Sequence, residues 1–187
     1  DHFSGRIGDS DMAGKLQVET GGKRPALTAE LFSKLLDIED LGPVIGSRPG
    51  TVDKAAASPT TTLRVLPELP FKTDTWSSVD ADVRLTAKTI RRARELPIED
   101  LVTHLRLSDS VLTLDPLNFG LAGGELNAVI TLDGRKDPIQ AHARVRARKI
   151  LIAKLFPTVE LNKNSIGQIN GEFDLTGQGN SVGRMLA

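Results

Sequence analysis

The sequence has no cysteine and no tyrosine, one tryptophan and three histidines. Without cysteine there is no disulfide scaffold, no thiolate zinc centre and no thiol nucleophile. A histidine metal site would need nearly all of His2, His104 and His142 to converge. An excess of charge of one sign is also missing. Lys+Arg and Asp+Glu both total 24, a net charge of zero, whereas a general nucleic-acid binder carries a clear basic surplus. No run approaches the ~18 apolar residues that span a bilayer as a helix. The opening Asp1-His2-Phe3-Ser4-Gly5 has no initiator methionine and no apolar signal-peptide core, so the chain reads as a fragment or a processed form. Lack of cysteine fits any compartment.

What is present is an ordinary globular balance over 187 residues, 39% hydrophobic and 26% charged, enough for one domain or two small ones. The dominant period is two. Lys15-Leu16-Gln17-Val18-Glu19 alternates, Gly21 to Pro25 breaks the pattern, and Leu27, Ala29, Leu31, Ser33 and Leu35 resume it, which is a hairpin. Alternation returns at Val83–Lys88, at Leu105–Leu107 and, after Asp109-Ser110, at Val111–Leu114. Leu126, Ala128, Ile130 and Leu132 share one face before the turn Asp133–Pro138. Ala141, Ala143, Val145 and Ala147 then alternate with His142, Arg144, Arg146 and Arg148, and Ile169, Gly171, Phe173 and Leu175 mark a last strand. About eight strands joined by tight turns predict an antiparallel, mostly β chain.

Helical signals are short: 37–45, Ile152 to Phe156 before Pro157, and a pattern opened by Ser181 that reaches Ala187, from which the natural protein is expected to continue. Ser47 to Thr62 reads as a linker; nine of its sixteen residues are Pro, Gly, Ser or Thr, a composition expected to stay mobile. It separates a hairpin unit with a short helix (1–46) from a main β unit (63–187), and one sheet could still include both. Two repeats recur. Leu36-Asp37-Ile38-Glu39-Asp40-Leu41 returns as Leu96-Pro97-Ile98-Glu99-Asp100-Leu101 and, weakly, as Ile150 to Leu155. A second motif joins Gly14-Lys15-Leu16-Gln17-Val18, Gly124-Glu125-Leu126-Asn127-Ala128 and Gly171-Glu172-Phe173-Asp174-Leu175. Glycine there allows a bend, and the apolar pair fills the inner face of a curved sheet.

No cluster names a reaction. Asp9-Ser10-Asp11 and Asp80-Ala81-Asp82 have a metal-like spacing, but each lies beside a turn or strand start, where Asp serves hydrogen bonding. Glu39-Asp40 and Glu99-Asp100 read as acids opening short helical turns. No G-x-S-x-G accompanies His104, and Gly177-Gln178-Gly179 lacks a βαβ context. Arg144, Arg146 and Arg148 form a stripe that fits anionic headgroups or an acidic partner, or else a solvated strand face. The small aliphatic positions Leu16, Val18, Leu27, Leu31, Leu126, Ala128, Ile130, Val145 and Leu175 form an inner face. It serves either as a closed core or as a groove for acyl chains.

Ser4-Gly5-Arg6-Ile7-Gly8-Asp9-Ser10-Asp11-Met12-Ala13-Gly14, then Gly21 to Pro25 through Leu41-Gly42-Pro43-Val44-Ile45-Gly46, resembles the AsmA family of Gram-negative envelope proteins. Val79–Val83, Leu112–Leu117, Gly120–Gly124 and Phe173–Gly177 are similar as well. These are strand-and-turn patterns, and they cover most of the chain outside 47–62. The resemblance implies a β-groove protein of the periplasm, tethered to the inner membrane by a helix that this C-terminal segment lacks. It implies a role in outer-membrane biogenesis and homeostasis as a carrier of phospholipid between membranes. It carries over no catalytic residue, and together with the residues above the expectation is no enzyme activity, no metal site, no cofactor and no nucleic-acid partner. The nine aliphatic positions then become candidate lipid-facing residues, and envelope or outer-membrane assembly proteins candidate partners. The expectation is a mostly β, antiparallel, curved sheet of repeated hairpins with two or three short helices. The alternative is a non-enzymatic docking module with a closed β core.

Overall fold

The computed structural model describes residues 2–37, 75–91, 98–155 and 167–180. Alternation of side chains is realised as nine strands: β1 (His2–Ile7), β2 (Ser10–Glu19), β3 (Ala26–Asp37), β4 (Asp80–Arg91), β5 (Ile98–Ser108), β6 (Val111–Leu121), β7 (Gly124–Asp133), β8 (Gln140–Leu151) and β9 (Gln168–Gln178). A four-residue helix, α1 (Ile152–Leu155), follows β8. The strands lie side by side in chain order in one sheet. At ~4.8 Å per strand the sheet is about 38 Å wide, and its longest strands run for about 40 Å. β1 pairs with β2 alone and β9 with β8 alone, so the sheet is open among the described residues.

Seven of the eight ladders are antiparallel. The exception corrects the purely antiparallel expectation: β3 and β4 are parallel, Ala26 beside Asp80 and Asp37 beside Arg91. Periodicity reports which face a residue takes, not strand direction, and two strands separated by residues 38–79 are free of the hairpin constraint. Strands from both sides of the expected linker therefore share one sheet. The linker itself, 47–62, lies outside the described residues, as do the helical segment expected at 37–45, apart from Asp37, which ends β3, and the one expected at 181–187. β1 was not anticipated.

The parallel pair is tied at both ends. At the start of β3 and β4, Asp80 N donates to Pro25 O at 3.0 Å, and Arg24 reaches Asp80 at 3.7 Å and Asp109 at 3.2 Å. At the far end Arg91 lies 3.2 Å from Asp9 and 4.0 Å from Asp37.

Irregular steps punctuate the ladders. The pairing of β3 with β2 ends at Phe32, opposite Ala13, and beyond it the amides of Lys34 and Leu35 donate to Asp11 Oδ1 at 2.9 and 2.7 Å, joined by the Ser33 hydroxyl at 3.1 Å, while the register with β4 stays in phase. Asp11 is thus a long-range clamp rather than a turn-former. The Leu35 amide first, with Ser33 and Lys34, holds its carboxyl below the usual carboxylate range. In β8 the ladder skips between Ala147 and Ile150, and Lys149 (φ 53°) donates its amide to Asn170 Oδ1 at 2.8 Å. In β5 it skips between Glu99 and Val102 around Asp100 (φ 52°). Glu99-Asp100 therefore belongs to a bulged strand, not to the helical turn expected there: the extra residue of a bulge interrupts the alternation that identifies a strand.

Two glycines sit where backbones nearly touch. A Cβ at Gly14 would collide with the Glu30 carbonyl, and one at Gly124 with the Arg148 carbonyl and the Ile150 amide. Gly14→Ala and Gly124→Ala should each cost about 1–3 kcal/mol of stability through overpacking, whereas Gly5→Ala, with open space around it, should cost far less; urea unfolding midpoints separate the three. A depressed carboxyl stabilises the fold above the unfolded value near pH ~4 and loses that contribution as pH falls through the folded value. Acid titration of stability should therefore be shallower in Asp11→Asn than in the natural chain below about pH 4.

Candidate functional site: an apolar face crossing all nine strands

Cross-strand neighbours point to the same face, so the register sorts the side chains. One row runs Gly14, Leu31, Leu85, Thr103, Leu117, Ala128, Val145, Phe173. The next runs Leu16, Ala29, Val83, Leu105, Leu114, Ile130, Ala143, Leu175, and a third begins Val18, Leu27, Ala81, Leu107, Leu112, Leu132, Ala141, Gly177. No charged side chain interrupts these rows. All nine aliphatic positions singled out from the sequence fall on this face, together with residues the candidate set did not include: Leu105, Leu114, Leu117, Phe119 and Phe173. Period-two alternation would have found most of these. In β6 it is displaced by Asp115-Pro116, where the ladder skips from Leu114 to Leu117.

Exposure varies across the face in an ordered way. At one end of the strands, Met12, Leu36, Ala87 and Ile90 are buried together, with Leu31, Leu85, Ile98 and Leu101 against them. Further along the same end, Ala122, Ala147 and Ile150 form a second packed cluster with Leu121, Leu126, Ile169 and Leu155 of α1. Ile150 lies just past the irregular step of β8, where a bulge bends the strand, and Leu36 lies just past the stretch of β3 held by Asp11. At the other end Leu107, Leu132 and Ile139 are buried, and the Trp76 ring lies where a Cβ on Gly134 would be. Between these ends the larger side chains, Val83, Leu105, Leu114, Ile130 and Val145, are half-buried. Toward the lateral edges they open further: Leu16 is 43% exposed, Val18 55%, Phe173 48% and Leu175 42%. The result is an apolar band that runs across the strands, bounded at both strand ends and open at the sheet's sides.

The glycine repeat explains itself on this face. Gly14, Gly124 and Gly171 all lie on the apolar side, and the Phe173 ring folds over the space above Gly171. Each motif places a gap and then two apolar residues on one side of its strand.

The opposite face carries the charges, and Phe32 (51% exposed), Val102 (44%) and Val129 (38%) stand among them. Arg144, Arg146 and Arg148 stand there, apart from the aliphatic set: Arg144 Nε lies 3.7 Å from Asp174, Arg146 Nε lies 2.7 Å from Glu172, and Arg148 is across the register from Glu125. His142 is 2.7 Å from Asp174, and His104 is 2.8 Å from Asp82. Asn127 donates to Asn118 at 3.1 Å. Among the described residues no group of three or more His, Asp or Glu could hold a metal ion, and no helix is long and apolar enough to cross a membrane.

The AsmA family matches residues 1–187. A curated relative, "AsmA family protein YhjG" of Escherichia coli (strain K12), is 42% identical over 193 residues, covering 98% of this chain. The chain spans only 28% of that relative's length. No solved structure matches.

The difference between packed ends and open band is measurable. Leu36→Ala, at a site 1% exposed, should cost about 2–5 kcal/mol. Leu175→Ala, on the open band, should cost under about 1 kcal/mol, because less than the full side chain leaves water on folding. Chemical denaturation of the two variants reads the contrast directly.

Proposed function

The chain belongs to the AsmA family, and we propose that its apolar band holds phospholipid acyl chains, as part of a periplasmic protein that carries phospholipid between the inner and outer membranes and so serves outer-membrane biogenesis. One observation carries the reading: an uncharged apolar face crosses all nine strands and leaves Leu16, Val18, Phe173 and Leu175 between 42% and 55% exposed. Clustered exposed apolar side chains mark ligand or partner sites more often than singly scattered ones do. Each methylene kept from water is worth ~0.8 kcal/mol. A band without charges gives an acyl chain no step at which that stabilisation is lost, and it runs across the strands, the direction in which a sheet grows. The polar face meets water, with its arginines, histidines and carboxylates in cross-strand pairs.

The proposed role is non-enzymatic. Movement of a lipid along such a band makes and breaks no covalent bond, and the titratable groups described above lie on the polar face. A tether to the inner membrane, and contacts with envelope or outer-membrane assembly proteins, complete the proposal. The alternative of a docking module with a closed core draws support from the packed clusters at the strand ends, but it leaves the exposed aliphatics of β2 and β9 without a role.

Charge placed on the open band tests the proposal. Leu126 is a poor choice, since it packs against the Ala122–Ala147–Ile150 cluster and a charge there would strike the fold itself. Leu16→Arg and Leu175→Arg lie on exposed positions and should keep the circular dichroism of the natural chain. Both should lose the phospholipid that co-purifies with it, as measured by lipid mass spectrometry. Equal lipid content in the natural and substituted proteins, or none in either, would reject acyl-chain binding.

A further inference from the structure

Within the three central rows of the apolar face one side chain carries a polar atom: Thr103, between Leu85 of β4 and Leu117 of β6. Its Oγ1 is buried and has no hydrogen-bond partner, although the residue as a whole is only half-buried. A buried hydroxyl left unpaired costs about 1–3 kcal/mol, and buried polar groups are nearly always paired. Valine has the same β-branched shape without this cost, so packing alone does not call for threonine here. Ser33, on the neighbouring part of the face, differs in this respect, since its hydroxyl donates to Asp11 Oδ1 at 3.1 Å.

We propose that Thr103 sets ligand specificity on the band by donating its hydroxyl hydrogen bond to the carbonyl oxygen of an acyl ester. The assignment rests on the acyl-chain reading above and goes beyond it: it selects lipids whose chains are joined through an ester over those joined through an ether. Thr103 stands at an irregular step, where the register slips between Thr103 and Leu105 opposite Leu114 and Leu117. Because Oγ1 is covered as it stands, this donation requires χ1 to turn to another staggered well when lipid binds. With the chains lying on aliphatic rows that offer only dispersion contacts, this is the one described point on the central rows where a side chain can recognise a polar atom of the ligand. A hydrocarbon or ether offers no carbonyl there, so the hydroxyl stays unpaired.

The test is a competition. The full-length protein is incubated with an equimolar mixture of dipalmitoyl phosphatidylethanolamine and its dihexadecyl ether counterpart, and retained lipid is measured by mass spectrometry after gel filtration. The natural protein should retain the ester over the ether by about three- to tenfold, the size of one neutral hydrogen bond. Thr103→Ser should keep the preference and Thr103→Val should lose it while still retaining lipid. Thr103→Val should also melt no lower than the natural protein, because it removes an unpaired hydroxyl. Equal retention of both lipids by the natural protein, or a preference that survives Thr103→Val, overturns the assignment but leaves acyl-chain binding standing. A marked fall in melting temperature for Thr103→Val overturns it too, by showing that the hydroxyl has a structural partner. Retention of neither lipid by the natural protein rejects acyl-chain binding itself, and this assignment with it.

Discussion

Every strand of the sheet has to keep the same phase, because a slip of one residue would turn its aliphatic side chains to water and its charges onto the apolar face. Eight ladders in sequence hold that phase from Phe3 at one side to Phe173 at the other. Where a ladder ends or skips, side chains take up what the backbone releases: Asp11 receives the amides of Lys34 and Leu35 beyond the last β2–β3 pair, and Asn170 receives that of Lys149. These polar groups are as much a part of the apolar surface as the leucines, since each lets a strand change step without leaving an orphaned donor.

The irregular steps also shape the surface. Ile150 follows the step of β8 and Leu36 follows the stretch of β3 held by Asp11, and both are among the most buried aliphatic side chains of the two packed clusters. A sheet of uniform strands would expose its whole apolar side evenly. Here the strand ends are packed, the middle is half-covered and the sides are open, so the usable surface has a direction, at right angles to the strands.

Much of this was legible in the sequence because side-chain alternation is local. Leu16 and Val18, or Leu126, Ala128 and Ile130, declare their common face within five residues. What escaped is what depends on partners far along the chain. The Asp11 clamp joins residues more than twenty positions apart, and Arg24 meets Asp109 from 85 positions away. Neither spacing leaves a local trace. Asp100 and Asp115-Pro116 disturb the alternation at the very places where the strand bends, which is why Glu99-Asp100 reads as a helical start and why Leu117 and Phe119 drop out of the pattern. β1 was hidden for another reason: with six residues and two small ones, Ser4 and Gly5, near its centre, it offers too short a pattern to stand alone.

The parallel junction of β3 and β4 divides the sheet into two hairpin-connected halves that differ in how they can be assembled. Within each half most neighbours are joined by short turns, and hairpins of that kind close in microseconds. Bringing β3 to β4 means closing a loop that includes all of residues 38–79, which costs about 2 kcal/mol more chain entropy than a turn of four residues. The least local ladder among the described residues is therefore the one with the largest closure cost, and the ion pairs of Arg24 and Arg91 bridge the two parts across it.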